Sequence, residues 1–154
     1  MKSKISLIVP VYNESKEIEN FFQDLKNCNF DIINEIIFVN DSSTDNSLDL
    51  IQKKINEFKQ LSFNINFILI SNLKNRGYGF SIKKGVNNSN NDTIGIIDLD
   101  CTYKIEDLND ISNKFINTYP GQYDLIIGER NIDTTNTSLI KIIGKTIINK
   151  ITNF

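Results

Sequence analysis

Asp98 and Asp100 are the residues whose types and spacing point most directly to chemistry. They follow the apolar run Ile94–Ile97, which is typical of a buried strand. In extended backbone, residues two positions apart share a face, so both carboxylates can point toward one spot. Paired carboxylates repel unless a proton or cation lies between them, and Mg²⁺ or Mn²⁺ completed by phosphate oxygens would satisfy both. A D-x-D pair alone is weak evidence, but the preceding strand and a second acid cluster favour a metal site here.

A second group of acids and small polar residues follows the first and second apolar runs. Asp41 ends the second run, and we predict that it accepts hydrogen bonds from a base or a ribose. One of Ser43, Thr44 and Asp45 is expected only to cap the helix that follows. Glu14 is either a further ligand or a first-turn acid that the helix dipole favours.

Gly77 and Gly79 precede a short helical pattern after the third apolar run. Glycine lets the backbone approach a ligand closely, and the N-terminus of a helix favours anions. The spacing to Gly85 does not fit the G-x-G-x-x-G dinucleotide fingerprint. We therefore predict close backbone approach to an anionic ligand at this loop, without a dinucleotide signature.

Basic side chains lie beside these loops and after the last apolar run. Arg76, Lys83 and Lys84 are either ligands of an anion or ordinary solvated surface cations. Arg130 lies just past the fifth run, where a guanidinium suits bidentate contacts with phosphate. We predict that Arg130 binds phosphate at the rim of the sheet.

Hydrophobic periodicity indicates the elements that must position these residues. Short runs rich in Ile, Val, Phe and Leu predict strands over Ile5–Val11, Ile33–Val39, Ile65–Ile70, Thr93–Leu99 and Asp124–Gly128. Apolar residues at helical spacing predict helices over Ile18–Cys28, Leu48–Phe58, Tyr78–Val86 and Ile105–Phe115. This alternation predicts an α/β fold with a mostly parallel sheet flanked by helices. In such a sheet, ligands bind outside the carboxyl ends of the strands.

Composition excludes several classes of protein. The chain has 154 residues, a formal net charge of −2 and no His. The acidic balance argues against nucleic-acid binding, and the lack of His excludes Ser-His hydrolases and His-ligated zinc enzymes. No apolar run is long enough to cross a bilayer, and the opening stretch is too short for a signal peptide and ends in Pro10. Cys28 and Cys101 are interpreted as reduced thiols of a cytoplasmic protein, with a long-range disulfide as the alternative.

The last part of the chain has a different pattern. Residues 129–138 are polar and predict a loop, and Leu139–Ile151 has an Ile-rich helical face beside lysines. That helix either lies on a bilayer surface, peripheral at the inner face of a membrane, or packs against the sheet.

Four blocks in their order along the chain resemble the inverting family-two glycosyltransferases of GT-A fold. These blocks are Ser6–Glu14, Val39–Asp45, Asn75–Gly79 with Lys83–Gly85, and Asp98–Asp100. Within that family the chain is most similar to the dolichol-phosphate mannosyltransferase-like branch, which glycosylates polyprenyl phosphates. The segments that carry this similarity are Asp98–Tyr103, Glu106–Leu108, Asp124–Arg130 and Leu139–Phe154.

The resemblance implies a Rossmann-like GT-A core that binds a nucleotide sugar in residues 1–130. Residues 131–154 would be a loop and an amphipathic helix of the same domain. The implied catalytic residues are Asp98, Asp100 and Arg130. The two acids would hold metal and diphosphate, and Arg130 would bind the phosphates of donor or acceptor. The residues implied to bind the nucleotide sugar are Pro10, Tyr12, Glu14, Asp41, Arg76, Gly77, Lys83 and Asp98.

The implied reaction moves a sugar, with inversion and Mg²⁺ or Mn²⁺, from a UDP- or GDP-linked donor to a polyprenyl phosphate. A phosphate acceptor is already anionic and needs no dedicated base, which agrees with the absence of His. Alternatives are a non-catalytic nucleotide-sugar-binding module and a family member that acts on a polysaccharide or cell-surface glycan. A receiver-like phosphoacceptor domain is a further alternative, but Glu129-Arg130 replaces the Lys that it would need.

The sequence also departs from the family pattern. Ser42 and Cys101 stand where the family often has Gly. The family usually continues with an Asp-containing, Ser-Gly-rich block that completes the acceptor side, and this block is missing here. We therefore expect a GT-A fold that is truncated at its C-terminus, as a fragment, a split form or an inactive form.

Overall fold

A computed structural model describes residues 4–28, 30–61, 64–100, 103–118 and 124–128. Within these residues, strands and helices alternate along the chain. The strands are β1 (Ile5–Val11), β2 (Ile33–Asn40), β3 (Asn66–Ser71) and β4 (Thr93–Ile96). The helices are α1 (Ile18–Asn27), α2 (Ser47–Gln60), α3 (Tyr78–Asn87) and α4 (Ile105–Asn113), and a π-helical turn over Lys114–Thr118 follows α4.

The described strands form one parallel sheet in the order β3-β2-β1-β4, which confirms the predicted α/β fold. The chain builds outward on one side of β1 and then crosses to the other side, so the strand order reverses between β1 and β4. Open α/β sheets bind ligands at such a reversal, outside the carboxyl ends of the strands. A receiver-like domain has the order 2-1-3-4-5, so the observed order excludes that alternative.

Helices cover both faces of the sheet. On one face, Phe22 of α1 stacks on Phe38 of β2 with ring centroids 5.4 Å apart, and it meets Phe58 of α2 edge-on at 5.2 Å. On the other face, Ile8 and Val39 belong to a second apolar cluster. Alternation of side chains along the strands separates the two clusters, because successive residues point to opposite faces.

Gly85 lets α3 approach this second face closely. A Cβ added at Gly85 would lie 2.5 Å from Ile8 Cγ2 and 3.3 Å from Val39 Cγ2. The backbone of α3 therefore rests almost directly on β1 and β2. This contact fixes where the N-terminus of α3 lies relative to the carboxyl ends of those strands.

A buried carboxylate holds the opposite, amino-terminal edge of the sheet together. Glu35 of β2 is 2% exposed. Its Oε2 accepts hydrogen bonds from Ser6 Oγ at 2.5 Å and Asn90 N at 2.9 Å, and its Oε1 accepts from the side chains of Asn66 and Asn90. Burial acts to raise the pKa of Glu35, but these hydrogen bonds outweigh burial and lower it. Glu35 therefore links β1, β3 and the loop before β4, a structural role that the sequence analysis did not identify.

The prediction of a fifth strand over Asp124–Gly128 is wrong, because these residues form no strand. Leu125 and Ile127 are 72% and 79% exposed, so this apolar run is not covered as a parallel strand would be. A Cβ added at Gly128 would lie 2.9 Å from Ile111 Cδ1, which places the segment beside α4.

The other boundaries differ from the predictions in smaller ways or were not tested. β4 ends at Ile96 instead of Leu99, because its register with β1 ends at the pair Ile8–Ile96. Cys101, Arg130 and the predicted loop and helix over 129–151 lie outside the described residues. The division into residues 1–130 and 131–154 stays a prediction. Among the described helices, none combines the length and the apolar character that crossing a bilayer requires.

Replacing Gly85 with Ala is expected to lower the free energy of unfolding by about 1–3 kcal/mol, because the new methyl group overpacks the contact with Ile8. Gly79→Ala is the matched control in the same helix, since a Cβ there meets no atom within 4 Å. Urea unfolding of both variants measures the difference. Equal stabilities of the two variants would contradict the close packing of α3 on the sheet.

Candidate functional site

A pocket of about 330 Å³ opens at the carboxyl edge of the sheet, where the strand order reverses. Seven residues predicted to bind nucleotide sugar or metal line it, namely Pro10, Tyr12, Glu14, Asp41, Gly77, Asp98 and Asp100. The other lining residues are Val11, Asn75, Tyr78, Ser81 and Leu99. The structure therefore brings together side chains that follow β1, β2, β3 and β4, as the topology requires.

The loop after β1 is fastened to the loop after β2 by side-chain to backbone hydrogen bonds. Asn13 Oδ1 accepts from Thr44 N at 2.8 Å and from Asp45 N at 3.4 Å, and Asn13 N donates to Ser43 Oγ at 3.0 Å. Asn13 adopts a positive φ of 58°, a conformation that Asn tolerates better than most residues. Ser42 has a φ of 59°, which explains why glycine suits this position in the family that the sequence resembles.

The prediction that Ser43, Thr44 or Asp45 caps α2 is wrong, because Asn46 is the N-cap residue and makes no side-chain capping bond. Asp45 lies just before it and binds the first residue of the helix. Its Oδ1 accepts from Ser47 N at 3.0 Å and from Ser47 Oγ at 2.5 Å, and its Oδ2 accepts from Ser15 N at 3.0 Å. Burial acts to raise the pKa of Asp45, but the hydrogen bonds from Ser47 and Ser15 outweigh burial and lower it to about 2. Asp45 therefore joins the loop of Glu14 to the start of α2 as a charged acceptor.

The carboxylate of Asp41 accepts hydrogen bonds from the loop between β3 and α3. Its Oδ1 accepts from Asn72 Nδ2 at 2.7 Å and Arg76 N at 2.9 Å, and its Oδ2 accepts from Gly77 N at 2.7 Å. The residue is only 3% exposed. Burial acts to raise its pKa, and the bonds from Asn72, Arg76 and Gly77 lower it below its usual value. The contact with a base or ribose predicted for Asp41 stays a prediction, because the described bonds of this carboxylate hold the loop.

Gly77 occupies the turn into α3 with φ 87° and ψ 166°. This region of backbone conformation is essentially restricted to glycine. Gly77 lines the pocket, and no atom lies within 4 Å of a Cβ added there. The prediction of a backbone segment that a ligand can approach agrees with this geometry.

Tyr78, the first residue of α3, connects this turn to the acid pair. Its hydroxyl donates a hydrogen bond of 2.8 Å to Asp98 Oδ1. Burial, together with the hydrogen bond and charge of Asp98, raises the pKa of Tyr78 to about 12. The hydroxyl is therefore protonated at neutral pH and serves as a donor to the carboxylate.

The described lining of the pocket carries four carboxylates and no Lys or Arg, so it is strongly acidic. Glu14, Asp98 and Asp100 line the same cavity. Burial first, and then repulsion from Asp100, Glu17, Asp45 and Asp98, raises the pKa of Glu14. A cation beside the acid pair would relieve this repulsion, and carboxylate oxygens are the ligands that Mg²⁺ and Mn²⁺ prefer.

The acid pair does not form a complete metal cage. Among the described residues, no group of three or more His, Cys, Asp or Glu side chains is placed to hold a metal ion. Mg²⁺ usually keeps one or two carboxylate ligands and takes the remaining ligands from water and substrate phosphates. Asp98 and Asp100 fit that kind of site.

The structure does not bring the side chains of Arg76 and Lys83 into the pocket lining. The Arg76 guanidinium lies over the Phe80 ring, 4.4 Å from its centroid. Arg76 serves the site through its backbone N–H, which donates to Asp41, and through its charge, which helps to lower the pKa of Asp41. Lys83 is exposed and lies two residues after the buried Ser81, on another side of α3. Lys84 has a structural role, because its Nζ donates to Ser71 O at 2.8 Å and to Asn72 Oδ1 at 2.9 Å.

Sequence reasoning missed Asn72, Ser81 and Tyr78 as parts of this site. Asn72 and Ser81 are both buried, and their side chains are hydrogen-bonded to each other at 3.3 Å. The sequence could have indicated that Ser81 is buried, because it lies one helical turn before Gly85 on the side of α3 that faces the sheet. Tyr78 gave no local signal, since its partner Asp98 lies 20 residues further along the chain.

The sequence matches the profile of the family described as Glycosyl transferase family 2 over residues 6–153. The chain belongs to this family. The recognition from the four sequence blocks is therefore confirmed.

Two curated relatives of this glycosyltransferase chain illustrate the range of the family. Dolichol-phosphate mannosyltransferase of Pyrococcus furiosus is 26% identical over 129 residues, which cover 84% of this chain and 34% of that protein. Poly-beta-1,6-N-acetyl-D-glucosamine synthase of Staphylococcus aureus strain COL is 29% identical over 96 residues, which cover 62% of this chain and 21% of that protein. The chain spans about a third of the length of the first curated relatives that it matches.

A solved structure shows the same fold. Mannosyltransferase PcManGT from Pyrobaculum calidifontis, in complex with GDP-Man and Mn²⁺, matches the glycosyltransferase chain with a TM-score of 0.64 and 18% identity. The match covers 77% of this chain and 34% of that chain. At this identity the likeness supports the fold alone, and it confirms the predicted GT-A architecture.

Asp45→Asn is expected to lower the free energy of unfolding by about 1–2 kcal/mol at pH 6, because the amide replaces an acceptor with a donor facing Ser15 N. The folded pKa of Asp45 is about 2, below its ordinary value of 3.8. The stability that the carboxylate contributes is therefore present above pH 4 and is lost as the pH falls toward 2. Urea unfolding from pH 6 to pH 2 should show the gap between wild type and variant closing at acid pH. A gap that is constant across this range would contradict the account.

Proposed function

We propose that this family 2 glycosyltransferase moves a sugar from a UDP- or GDP-linked donor to a polyprenyl phosphate, with inversion at the anomeric carbon. The observation that carries the proposal is the acidic pocket at the strand-order reversal, with Asp98 and Asp100 on its lining. A diphosphate enters such a pocket favourably only together with a cation. The similarity to a dolichol-phosphate mannosyltransferase supports the acceptor class, and the complex of PcManGT with GDP-Man and Mn²⁺ supports the donor class.

Asp98 and Asp100 would hold Mg²⁺ or Mn²⁺ together with the diphosphate of the donor. When bound, the cation supplies a Lewis acid that neutralises charge on the leaving diphosphate. The two aspartates act as fixed charges, and neither has to carry a proton. Arg130 is proposed to bind phosphate of the donor or acceptor, as the resemblance to the family implies.

The nucleoside end of the donor would lie against the loops after β1 and β3. Tyr12 is 47% exposed at the pocket and offers an aromatic ring on which a base can stack. Pro10 and Gly77 line the cavity beside it, and the open side of Gly77 lets the ligand approach the backbone. Asp41 contributes by holding the turn of Gly77 in place.

A polyprenyl phosphate suits this pocket because its phosphate oxygen is already an anionic nucleophile. Among the pocket carboxylates, Asp98 and Asp100 are assigned to the cation, and Asp41 accepts three internal hydrogen bonds. Such an acceptor also places the protein at the inner face of a membrane. The Ile-rich pattern of residues 139–151 would supply the peripheral contact.

A polysaccharide acceptor is the second candidate, and two observations favour it. The chain is similar to poly-beta-1,6-N-acetyl-D-glucosamine synthase. A sugar hydroxyl needs a general base, and Glu14 is the pocket carboxylate with a raised pKa, the direction that suits a base near neutral pH. Transfer to a glycan acceptor that is lost in Glu14→Gln, without transfer to polyprenyl phosphate, would select this candidate.

Asp100→Ala should abolish most of the metal-dependent affinity for the donor. Calorimetric titration with UDP- and GDP-sugars, with and without Mn²⁺, measures this affinity. We expect it to fall by at least about 10-fold, which is typical when a metal site loses a residue that holds it. Asp92→Ala is the matched control, because Asp92 is an exposed acid that directly precedes β4, at the amino end of the strand and away from the pocket. The control should bind as the wild type does.

Unchanged metal-dependent binding in Asp100→Ala would show that the acid is wrongly assigned. A further assay with polyprenyl phosphate separates the enzyme from a non-catalytic binding module. Transfer of sugar supports the proposed function, whereas donor binding without transfer to either class of acceptor identifies a binding module.

A further inference from the structure

Two acids of the pocket, Asp41 after β2 and Asp98 after β4, are joined through the short segment 75–78. Asp41 Oδ2 accepts from Gly77 N at 2.7 Å, and the next residue, Tyr78, donates its hydroxyl to Asp98 Oδ1 at 2.8 Å. The deeply buried Asp41 is thereby connected to the partly buried Asp98 through one turn of backbone and one side chain.

We propose that Tyr78 is a positioning residue, whose hydroxyl holds the Asp98 carboxylate in the orientation that receives the cation and diphosphate. The inference rests on the proposed function, because it assigns a partner to one of the proposed metal ligands. Tyr78 acts through Asp98 and takes no part in the chemical step.

Hydrogen bonds around Gly77 and Ser81 hold the backbone of Tyr78 in place. Tyr78 begins α3 directly after Gly77, whose N–H is held by Asp41. Ser81 N donates to Gly77 O at 3.2 Å, which closes the first turn of the helix, and Ser81 Oγ accepts from Asn72 Nδ2 at 3.3 Å. Because the close contact at Gly85 also fixes α3 on the sheet, the phenol approaches Asp98 from a rigid base.

Asp98 needs such a restraint. It is only partly buried, it follows the end of β4 by two residues, and it shares the pocket with Glu14 and Asp100. Repulsion among the carboxylates would otherwise turn the side chain away from the cavity. A donor to one oxygen offsets part of this charge and limits rotation, which is how outer-shell partners orient metal ligands.

The test is the affinity for Mn²⁺ in Tyr78→Phe, measured by electron paramagnetic resonance in the presence of saturating GDP or UDP. The phenylalanine keeps the ring, so contacts of the ring with a nucleotide are preserved and only the hydroxyl is lost. We expect Mn²⁺ to bind about 10- to 100-fold more weakly, the range typical for loss of an outer-shell partner. Raising the Mn²⁺ concentration should restore the affinity for the nucleotide to the wild-type value.

Ser89→Ala is the control, because it removes a hydroxyl just past the C-terminal end of α3, where Ser89 Oγ donates to Val86 O, and Ser89 is not part of the pocket lining. It should leave the Mn²⁺ affinity unchanged. Thermal unfolding of each variant checks the fold, and rescue by excess Mn²⁺ distinguishes a loss of positioning from structural damage. Tyr78 is 54% exposed, so the variant is expected to fold.

The outcomes separate this inference from the proposed function. If the wild-type protein binds Mn²⁺ with nucleotide and Tyr78→Phe binds Mn²⁺ with equal affinity, the positioning role is wrong. The proposed function is then unaffected. A variant that loses nucleotide affinity equally with and without Mn²⁺ also overturns the positioning role, because the hydroxyl would then contact the nucleotide. Wild-type protein that binds neither Mn²⁺ nor a nucleoside diphosphate contradicts both proposals.

Discussion

The pocket depends on the hydrogen bonds that the buried carboxylate of Asp41 accepts. A charge that is 3% exposed is costly unless it is hydrogen-bonded, and three donors from Asn72, Arg76 and Gly77 meet this need. Their arrangement sets the turn that only glycine can adopt and therefore the first residue of α3. The contact of α3 with β1 and β2 holds the other end of the helix, so the pocket wall after β3 is constrained at two points.

The electrostatics of the pocket follow from the topology. Parallel strands deliver their carboxyl-terminal loops to one edge, and in this chain those loops carry acids. The charge of Asp41 is compensated by backbone and amide donors, and that of Asp45 by its bonds from Ser15 and Ser47. Glu14, Asp98 and Asp100 share the cavity, and burial together with repulsion among these acids raises the pKa of Glu14. A divalent cation carrying a diphosphate is the ligand whose charge suits this arrangement.

Much of the fold could be predicted from the sequence, because burial imposes a visible period. β1, β2 and the four helices were found within a few residues, since their apolar positions repeat as strands or helices do. The prediction of a strand over Asp124–Gly128 was wrong, because composition alone does not show whether helices cover both faces of an apolar run. The sequence could not show that the side chains of Arg76 and Lys83 lie outside the pocket lining, because their positions depend on helix phase and on the ring of Phe80. The bonds of Tyr78 and Glu35 join residues far apart in sequence, and no local pattern encodes them.

The central claim is that the acids after β4 bind a nucleoside diphosphate through a divalent cation. A crystal structure of the protein with Mn²⁺ and GDP or UDP, with the metal located by anomalous scattering, tests it most directly. The account predicts an anomalous peak in contact with the carboxylates of Asp98 and Asp100 and with both phosphates. A diphosphate bound to the basic side chains of α3, with no metal at the acid pair, would contradict it.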